Sequence, residues 1–369
     1  MKSQKNASQK AGRISTTLKA AVIAIACLAG ITNSPVRAQS KAAPAQPASA
    51  VTTAPGSTLS AIKSRGHLIC GVAGDRAGFS LVDNKGVMQG LDADTCRSLS
   101  AAIFGTPDKV RFVSLTSLTR FTALQSGEVD IVIRYTTWTL TREANLGLEV
   151  PVVNFYDGQG FLVKKKAGVK SALDLSGATV CFQPGSAGEA NVTDYFRLHK
   201  MELKPLVIEK SEQIRDAFVG GRCDAYTNDT AQLASFKVSM GAAANDYVLL
   251  PEVISKEPLG PFIRKGDQKF FDLVRWTHIA LLTAEEFGIT SANIDKFRNS
   301  QNPAIQRFMG ENGDLGKALG VENNWAINVI KSVGNYAELW QRHITPLGIP
   351  RGLNRLVKDG GVQYAPPMR

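Results

Sequence analysis

Histidine is scarce in this sequence. His67, His199, His278 and His343 are the only four in 369 residues, and none stands in a motif with a nucleophile or a second acid–base group. Acid–base or nucleophilic catalysis needs such a pairing, so an enzymatic reading, such as a dehydratase, finds no motif to rest on. His278 falls on an apolar helical stretch, where a satisfied core role is the simpler reading. Cysteine is limited to five residues with no Cys-x-x-Cys pair, so the usual spacing of a zinc site is missing and no metal is expected. A Gly-Lys-Ser/Thr phosphate loop is also absent, and no cofactor is expected. Acidic residues number 32 against 43 basic ones, a formal charge of +11. Six of the basic residues (Lys2, Lys5, Lys10, Arg13, Lys19 and Arg37) crowd the first 38 positions, and without them the excess is +5. The rest are scattered without Arg/Lys blocks or interleaved aromatics, so no nucleic-acid partner is expected.

Long apolar runs are missing too. The 12 residues "AAVIAIACLAGI" fall short of the roughly 20 that span a bilayer. Behind a basic stretch and ahead of "NSPVRAQS", they read as the core of an export signal over residues 1–38, cleaved near Ala38. A competing use of the same segment is a lipid anchor on Cys27. Residues 39–57, rich in Ala, Pro, Ser and Thr, carry too little apolar surface to repay ordering and read as a flexible leader.

Cys70, Cys96, Cys181 and Cys223 remain, an even count in an exported chain, which suggests two disulfides with three possible connectivities. Pairing Cys70 with Cys96 and Cys181 with Cys223 keeps each bridge inside one local strand–helix unit. Buried free thiols are the competing reading.

From residue 59 short apolar strands alternate with amphipathic helices, the pattern of an α/β domain. "HLICGV", "VRFVSL" and "DIVIRY" read as strands, with helices over "GLDADTCRSLSAAIFG" and "SLTRFTALQSGEV". Near residue 160 the order repeats through "GATVC", "LVIEK", "SEQIRDAFVGGR" and "DAYTND", without sequence repetition. Two such units joined by two chain crossings, near 158–164 and 252–263, describe two lobes around a cleft.

Three stretches offer polar groups to that cleft. In "RYTTWTLTRE" the alternation puts Tyr135, Thr137 and Thr139 on one side, followed by Arg142, and a planar guanidinium with a hydroxyl suits a ligand carboxylate. The plainer reading, which this stretch alone favours, is β-propensity for the threonines, a helix cap at Thr141 and a surface salt bridge for Arg142. "CFQPGSAGEANV" reads as a strand, a glycine turn and a helix start near Ser186 or Ala187, where free backbone N–H groups favour anions. Asp229 in "DAYTNDTAQL" is either a helix N-cap or a carboxylate facing Arg142 from the other lobe. A carboxylate clamp opposite an ammonium acceptor would read a zwitterion.

These stretches, with "FTALQSGEVDI", "YDGQGFLV", "GRCDAYTND", "ISKEPLGP", "TAEEFGIT" and "RGLNRLVKDGGVQYAPPMR", resemble the periplasmic solute-binding proteins of polar amino-acid ABC transporters (solute-binding protein family 3). The similarity is to the general L-amino-acid-binding subfamily and covers residues 59–369. It implies a type II two-lobed α/β fold with a five-stranded sheet in each lobe, two crossover strands and a ligand cleft between the lobes. It divides the chain into a first lobe over 58–160, a second over 161–256, a return to the first over 257–290 and a helical extension over 291–369 packed on the first lobe. The implied function is capture of an L-amino acid by a monomer and its delivery to a membrane permease; a sensor module would bind the same ligand. By the same resemblance Arg142 holds the ligand carboxylate, Thr137 donates a hydroxyl, Gly185 and Ser186 form the second-lobe turn, Asp229 takes the ammonium group and Phe79 covers the side chain.

Two departures from the subfamily pattern bear on specificity. Pro184-Gly185-Ser186-Ala187 stands where Thr-Gly-Thr-Thr is usual, so Ala187 lacks a hydroxyl, a loss of about 0.5–1.5 kcal/mol per hydrogen bond. Tyr135 stands where an asparagine usually follows the arginine at position 134, which narrows or reshapes the pocket.

Overall fold

The computed structural model describes residues 57–369. The expected signal segment with Cys27 and Ala38, and the leader up to residue 56, lie outside the described residues. The first half runs through α1 (Thr58–Arg65), β1 (Leu68–Val72), β2 (Asp75–Arg76), β3 (Ser80–Val82), β4 (Met88–Gln89), α2 (Leu91–Phe104), β5 (Val110–Ser114), α3 (Arg120–Ser126), β6 (Ile131–Val132), α4 (Leu140–Ala144) and β7 (Leu148–Glu149). Strand β8 (Phe155–Asp157) then carries the chain across to β9 (Gln159–Lys164), β10 (Thr179–Phe182), α5 (Ala187–Leu198), β11 (Lys204–Val207), α6 (Ser211–Val219), β12 (Ala225–Asp229), α7 (Thr230–Ser239) and β13 (Tyr247–Leu249). The chain returns on β14 (Glu257–Leu259) and β15 (Ile263–Arg264) into α8 (Gln268–Glu286), and closes with α9 (Pro303–Phe308), α10 (Leu315–Leu319), α11 (Trp325–Val333) and α12 (Tyr336–His343).

β1 is buried at all five residues because parallel partners β5 and β6 flank it and helices cover both faces, which is why it reads as a continuous apolar run. An isolated antiparallel bridge, Val132 to Phe262, links this three-stranded sheet to the β7–β15 pair. The second lobe has one five-stranded sheet, ordered β11-β10-β12-β9-β13, with β9 entering antiparallel. Along β9 the side chains alternate: Phe161 and Val163 join Phe196 on one face, and Leu162 joins Phe218 and Phe236 on the other. Strand β9, buried over its first five residues, runs from Gln159 to Lys164 between β12 and β13 in this sheet.

The cysteines pair as Cys70–Cys96, between β1 and α2, and Cys181–Cys223, between β10 and the turn before β12. Their Cα atoms stand 6.3 and 5.8 Å apart, inside the usual range for a bridge. Gly90, at φ +125°, starts α2 where any Cβ would collide with the Phe79 backbone. The two crossover strands β8 and β14 pair antiparallel, with Glu257 opposite Asp157 and Leu259 opposite Phe155.

The C-terminal helices share a continuous core with the first lobe: Trp325, Ile330, Leu339 and Trp340 pack with Leu99, Ile103, Leu273 and Leu281. His278 lies within this packing, 3.3 Å from Gln363 of the C-terminal tail, and burial pushes its pKa down to about 4. A base depressed in the folded state contributes stability that is complete above its unfolded value of about 6.5 and lost as pH falls toward the folded value. The denaturant midpoint should therefore fall between pH 6.5 and about 4, and His278→Gln should flatten that part of the profile.

Candidate functional site

A cavity of about 450 Å³, counting the part open to solvent, lies where the two lobes meet. The first lobe contributes four guanidinium groups to its wall: Arg76, Arg120, Arg134 and Arg142.

Arg142 reaches the cavity because Thr139, in extended conformation, caps α4 by accepting the Arg142 N–H at 3.3 Å. The cap is therefore Thr139 and not Thr141. The side chain is buried, without the surface salt bridge of the plainer reading. Its Nη1 donates to the Thr137 carbonyl at 2.7 Å and its guanidinium lies 5.3 Å from the Phe121 ring centroid. Arg120, also over that ring at 4.6 Å, donates to the Gly185 carbonyl across the cleft at 3.1 Å, while its buried Nε meets no partner. Burial, followed by the Arg134 and Arg142 charges, drives the Arg120 pKa well below the usual arginine range. Arg134 donates to Leu115 O at 2.6 Å and Ser117 Oγ at 3.3 Å, and burial with the Arg76 charge pulls it down to about 10. Arg76 bridges the lobes through Gln183 Oε1 at 3.0 Å and Ser211 Oγ at 2.5 Å.

The second lobe answers with one unpaired acid. Asp229 ends β12 and occupies the N-cap position of α7, yet its carboxylate makes no cap hydrogen bond. Burial first, then the Glu257 and Asp157 carboxylates, raise its pKa well above the ordinary range, against the pull of Arg142 and Arg76. Nearby Gln232 has both side-chain polar atoms buried without partners. Ser186 caps α5, accepting Glu189 N–H at 3.1 Å and donating to Gln183 O at 2.7 Å. What this turn presents to the cavity is thus the opening of a 12-residue helix at Ala187 and Gly188, with its free N–H groups.

Six of the eight residues named from sequence, Tyr135, Thr137, Arg142, Ser186, Ala187 and Asp229, line the cavity together. Gly185 stands just behind it, at φ +66°, offering its carbonyl to Arg120. Phe79 does not cover the cavity: its ring is fully buried, edge-on to Tyr135 with centroids 4.3 Å apart and to Phe155 at 5.4 Å. The loop turns its neighbour Arg76 toward the cleft instead. The proton of Thr137 is directed at Glu257, which also holds Asn191 at 2.7 Å and Ser255 at 2.6 Å. That leaves Thr137 an acceptor toward the cavity, not a donor. Tyr135 adopts φ +50°, which breaks the alternation read from the threonine stretch, and its hydroxyl bonds Asp157 of β8.

Arg76, Arg120, Arg134 and Gln232 were missed from sequence. The available signal was position: Arg120 opens α3, and Arg76 and Arg134 follow strands at the edge where α/β sheets form their clefts. None of the four histidines lines the cavity, no group of three or more potential metal ligands occurs among the described residues, and no described helix is long and apolar enough to cross a membrane.

Residues 68–345 match the family model of bacterial extracellular solute-binding proteins, family 3. The general L-amino acid-binding periplasmic protein AapJ of Rhizobium johnstonii is 48% identical over 85% of this chain and 93% of its own length. The glutamate/glutamine/aspartate/asparagine-binding protein BztA of Rhodobacter capsulatus is 47% identical over 85% of this chain and 94% of its own. An ABC transporter/periplasmic binding protein from Brucella ovis, solved with glutathione bound, superposes with a TM-score of 0.83 at 49% identity, covering 85% of this chain and all of that one. With a family match across three quarters of its length and relatives of nearly half its residues in common, the chain belongs to the bacterial extracellular solute-binding proteins, family 3.

Proposed function

We propose that this protein captures a free L-amino acid between its lobes in the periplasm and presents the closed form to the permease of an ABC transporter. No chemical step is involved: ligand contacts with both lobes favour the closed population. The observation that carries this reading is the pair of oppositely ionising groups without an ion-pair partner, Arg142 on the first lobe and Asp229 on the second, facing one small cavity. Arg142 takes the α-carboxylate, with N–H groups at the start of α5 as further donors, and Asp229 takes the ammonium group.

The charge balance narrows the ligand further. Arg76 lies 3.2 Å from Asp75, but neither Arg120 nor Arg134 forms an ion pair among the described residues, and burial lifts Asp92, beside Arg134, to about 8. Arg142 lies in the field of both Glu257 and Asp229, whereas Arg120 has only Asp229 against two guanidinium neighbours and an Nε that meets no partner. A plain zwitterion leaves Arg120 without an anionic partner, whereas an amino dicarboxylic acid supplies one.

Titration calorimetry with L-glutamate, L-aspartate, their amides, the D-forms and glutathione tests this. The two acids should bind about tenfold or more tighter than glutamine and asparagine, the difference between a charged and a neutral hydrogen-bond partner. Equal affinities for glutamate and glutamine would remove the charge-balance argument, and no binding by any amino acid would remove the amino-acid reading itself.

A further inference from the structure

The C-terminal extension takes hold of the crossover strand by consecutive contacts. Gln363 Nε2 donates to Val153 O at 3.3 Å, and the Tyr336 hydroxyl to Asn154 O at 2.8 Å. The Phe155 ring stacks on Trp340 with centroids 5.2 Å apart and planes 9° from parallel. Asn354 addresses Tyr156 as a neighbouring strand would, accepting its N–H at 2.7 Å and donating to its carbonyl at 2.9 Å, although the two lie 198 residues apart. All four extension side chains are buried, and α11 and α12 are embedded in the core of the first lobe. The next residue, Asp157, receives the Tyr135 hydroxyl from the first lobe and, from the second, Thr230 Oγ1 at 2.5 Å and Ala231 N–H at 2.9 Å. Residues 153–156 are thus fixed to the first lobe at the point from which the second lobe must swing.

We infer that the extension is a brace on the crossover, with Asn354, Tyr336, Gln363 and Trp340 acting as positioning residues for ligand capture. By holding β8 in the register seen here, it limits the range of lobe orientations and favours the one in which Arg142, Arg120 and Asp229 face one cavity. None of the four touches the cavity, so their influence on binding runs through strand geometry. The effect on affinity rests on the amino-acid reading above; the effect on lobe geometry does not.

Three variants test the inference. Asn354→Leu removes two hydrogen bonds to Tyr156 at similar side-chain volume, and Tyr336→Phe removes one to Asn154. Ser291→Ala is the control, because it breaks a bond of the extension, Ser291 Oγ to Glu338 at 2.6 Å, that leaves the crossover alone. Stopped-flow measurement of L-glutamate release should show dissociation about tenfold faster in Asn354→Leu and about threefold faster in Tyr336→Phe, the scale of lost buried hydrogen bonds. Small-angle scattering of the ligand-free variants should give a larger radius of gyration than wild type, with Ser291→Ala matching wild type in both readouts. If wild type fails to bind L-glutamate, the ligand assignment falls while scattering still judges the brace. Should Asn354→Leu and Tyr336→Phe lower the melting midpoint yet keep the wild-type radius of gyration and release rate, the extension is only structural and the inference is overturned.

Discussion

Arg142→Ala is expected to weaken L-glutamate binding by roughly 30- to 3,000-fold, the 2–5 kcal/mol that follows when one partner of a buried charged contact is removed. The ligand-free protein should keep its melting midpoint. No protein carboxylate forms an ion pair with Arg142 among the described residues, so the apo fold loses one hydrogen bond, to Thr137 O, while the lost attraction to Glu257 and Asp229 is set against relief of the repulsion on Arg120. Asp229→Asn should produce a loss of similar size and also a change in pH dependence. In wild type, burial and the Glu257 and Asp157 carboxylates hold the Asp229 carboxyl well above its ordinary value. A bound ammonium group pulls it down again, so binding releases a proton, and affinity must fall as pH drops through the raised pKa. Calorimetry at several pH values, and in buffers of different ionisation heat, reads that proton directly. A pH slope that survives in Asp229→Asn would assign it to another group, and wild-type affinity in either variant would remove the clamp.

Tyr135→Asn should lower stability by about 2–3 kcal/mol and move the ligand profile toward larger side chains. Two opposing effects set that figure. Tyrosine at φ +50° holds a left-handed backbone that asparagine adopts more readily, so relief of strain returns about 1–2 kcal/mol. Truncating a ring packed against Phe79 and Phe155 removes about 3–5 kcal/mol. Packing wins, and the space vacated opens from the cavity wall toward Phe155. Urea unfolding measures the first effect and competition by leucine, phenylalanine and methionine against labelled glutamate the second. A more stable Tyr135→Asn protein would mean that strain outweighs packing, and an unchanged ligand profile that the ring does not bound the side-chain end of the pocket.

The strained position gives the asparagine-to-tyrosine departure its physical meaning. A sequence pattern shows only that a bulky phenol stands where a small amide is usual. In the folded protein its hydroxyl is bound by Asp157, the carboxylate that also receives Thr230 and the first turn of α7. Specificity and hinge geometry therefore meet at one residue.

Much of this protein was determined by sequence alone, because the forces involved are local. The strand–helix alternation follows from apolar periodicity, the helix start at Ser186 from a hydroxyl beside a glycine turn, and the pairings Cys70–Cys96 and Cys181–Cys223 from closeness within one structural unit. The proposed clamp residues Arg142 and Asp229 could be named as candidates for a related reason, although each stretch alone favoured a plainer structural reading: each sits at a strand end or helix start, where an α/β sheet exposes its polar groups. Tertiary structure decided what depends on distant partners. Whether Asp229 spends its carboxylate on its own helix, whether Thr137 directs its proton at Glu257, and how many arginines converge on the cavity are set by groups that meet only once the lobes are folded and closed. Phe79 illustrates the limit, since its loop reaches the cleft but the ring turns into the core and the buried Arg76 takes the place on the cavity wall. Asn354 lies further still from any local signal: its amide completes the hydrogen bonding of a strand 198 residues away, a pairing that requires the whole chain to have returned to the first lobe.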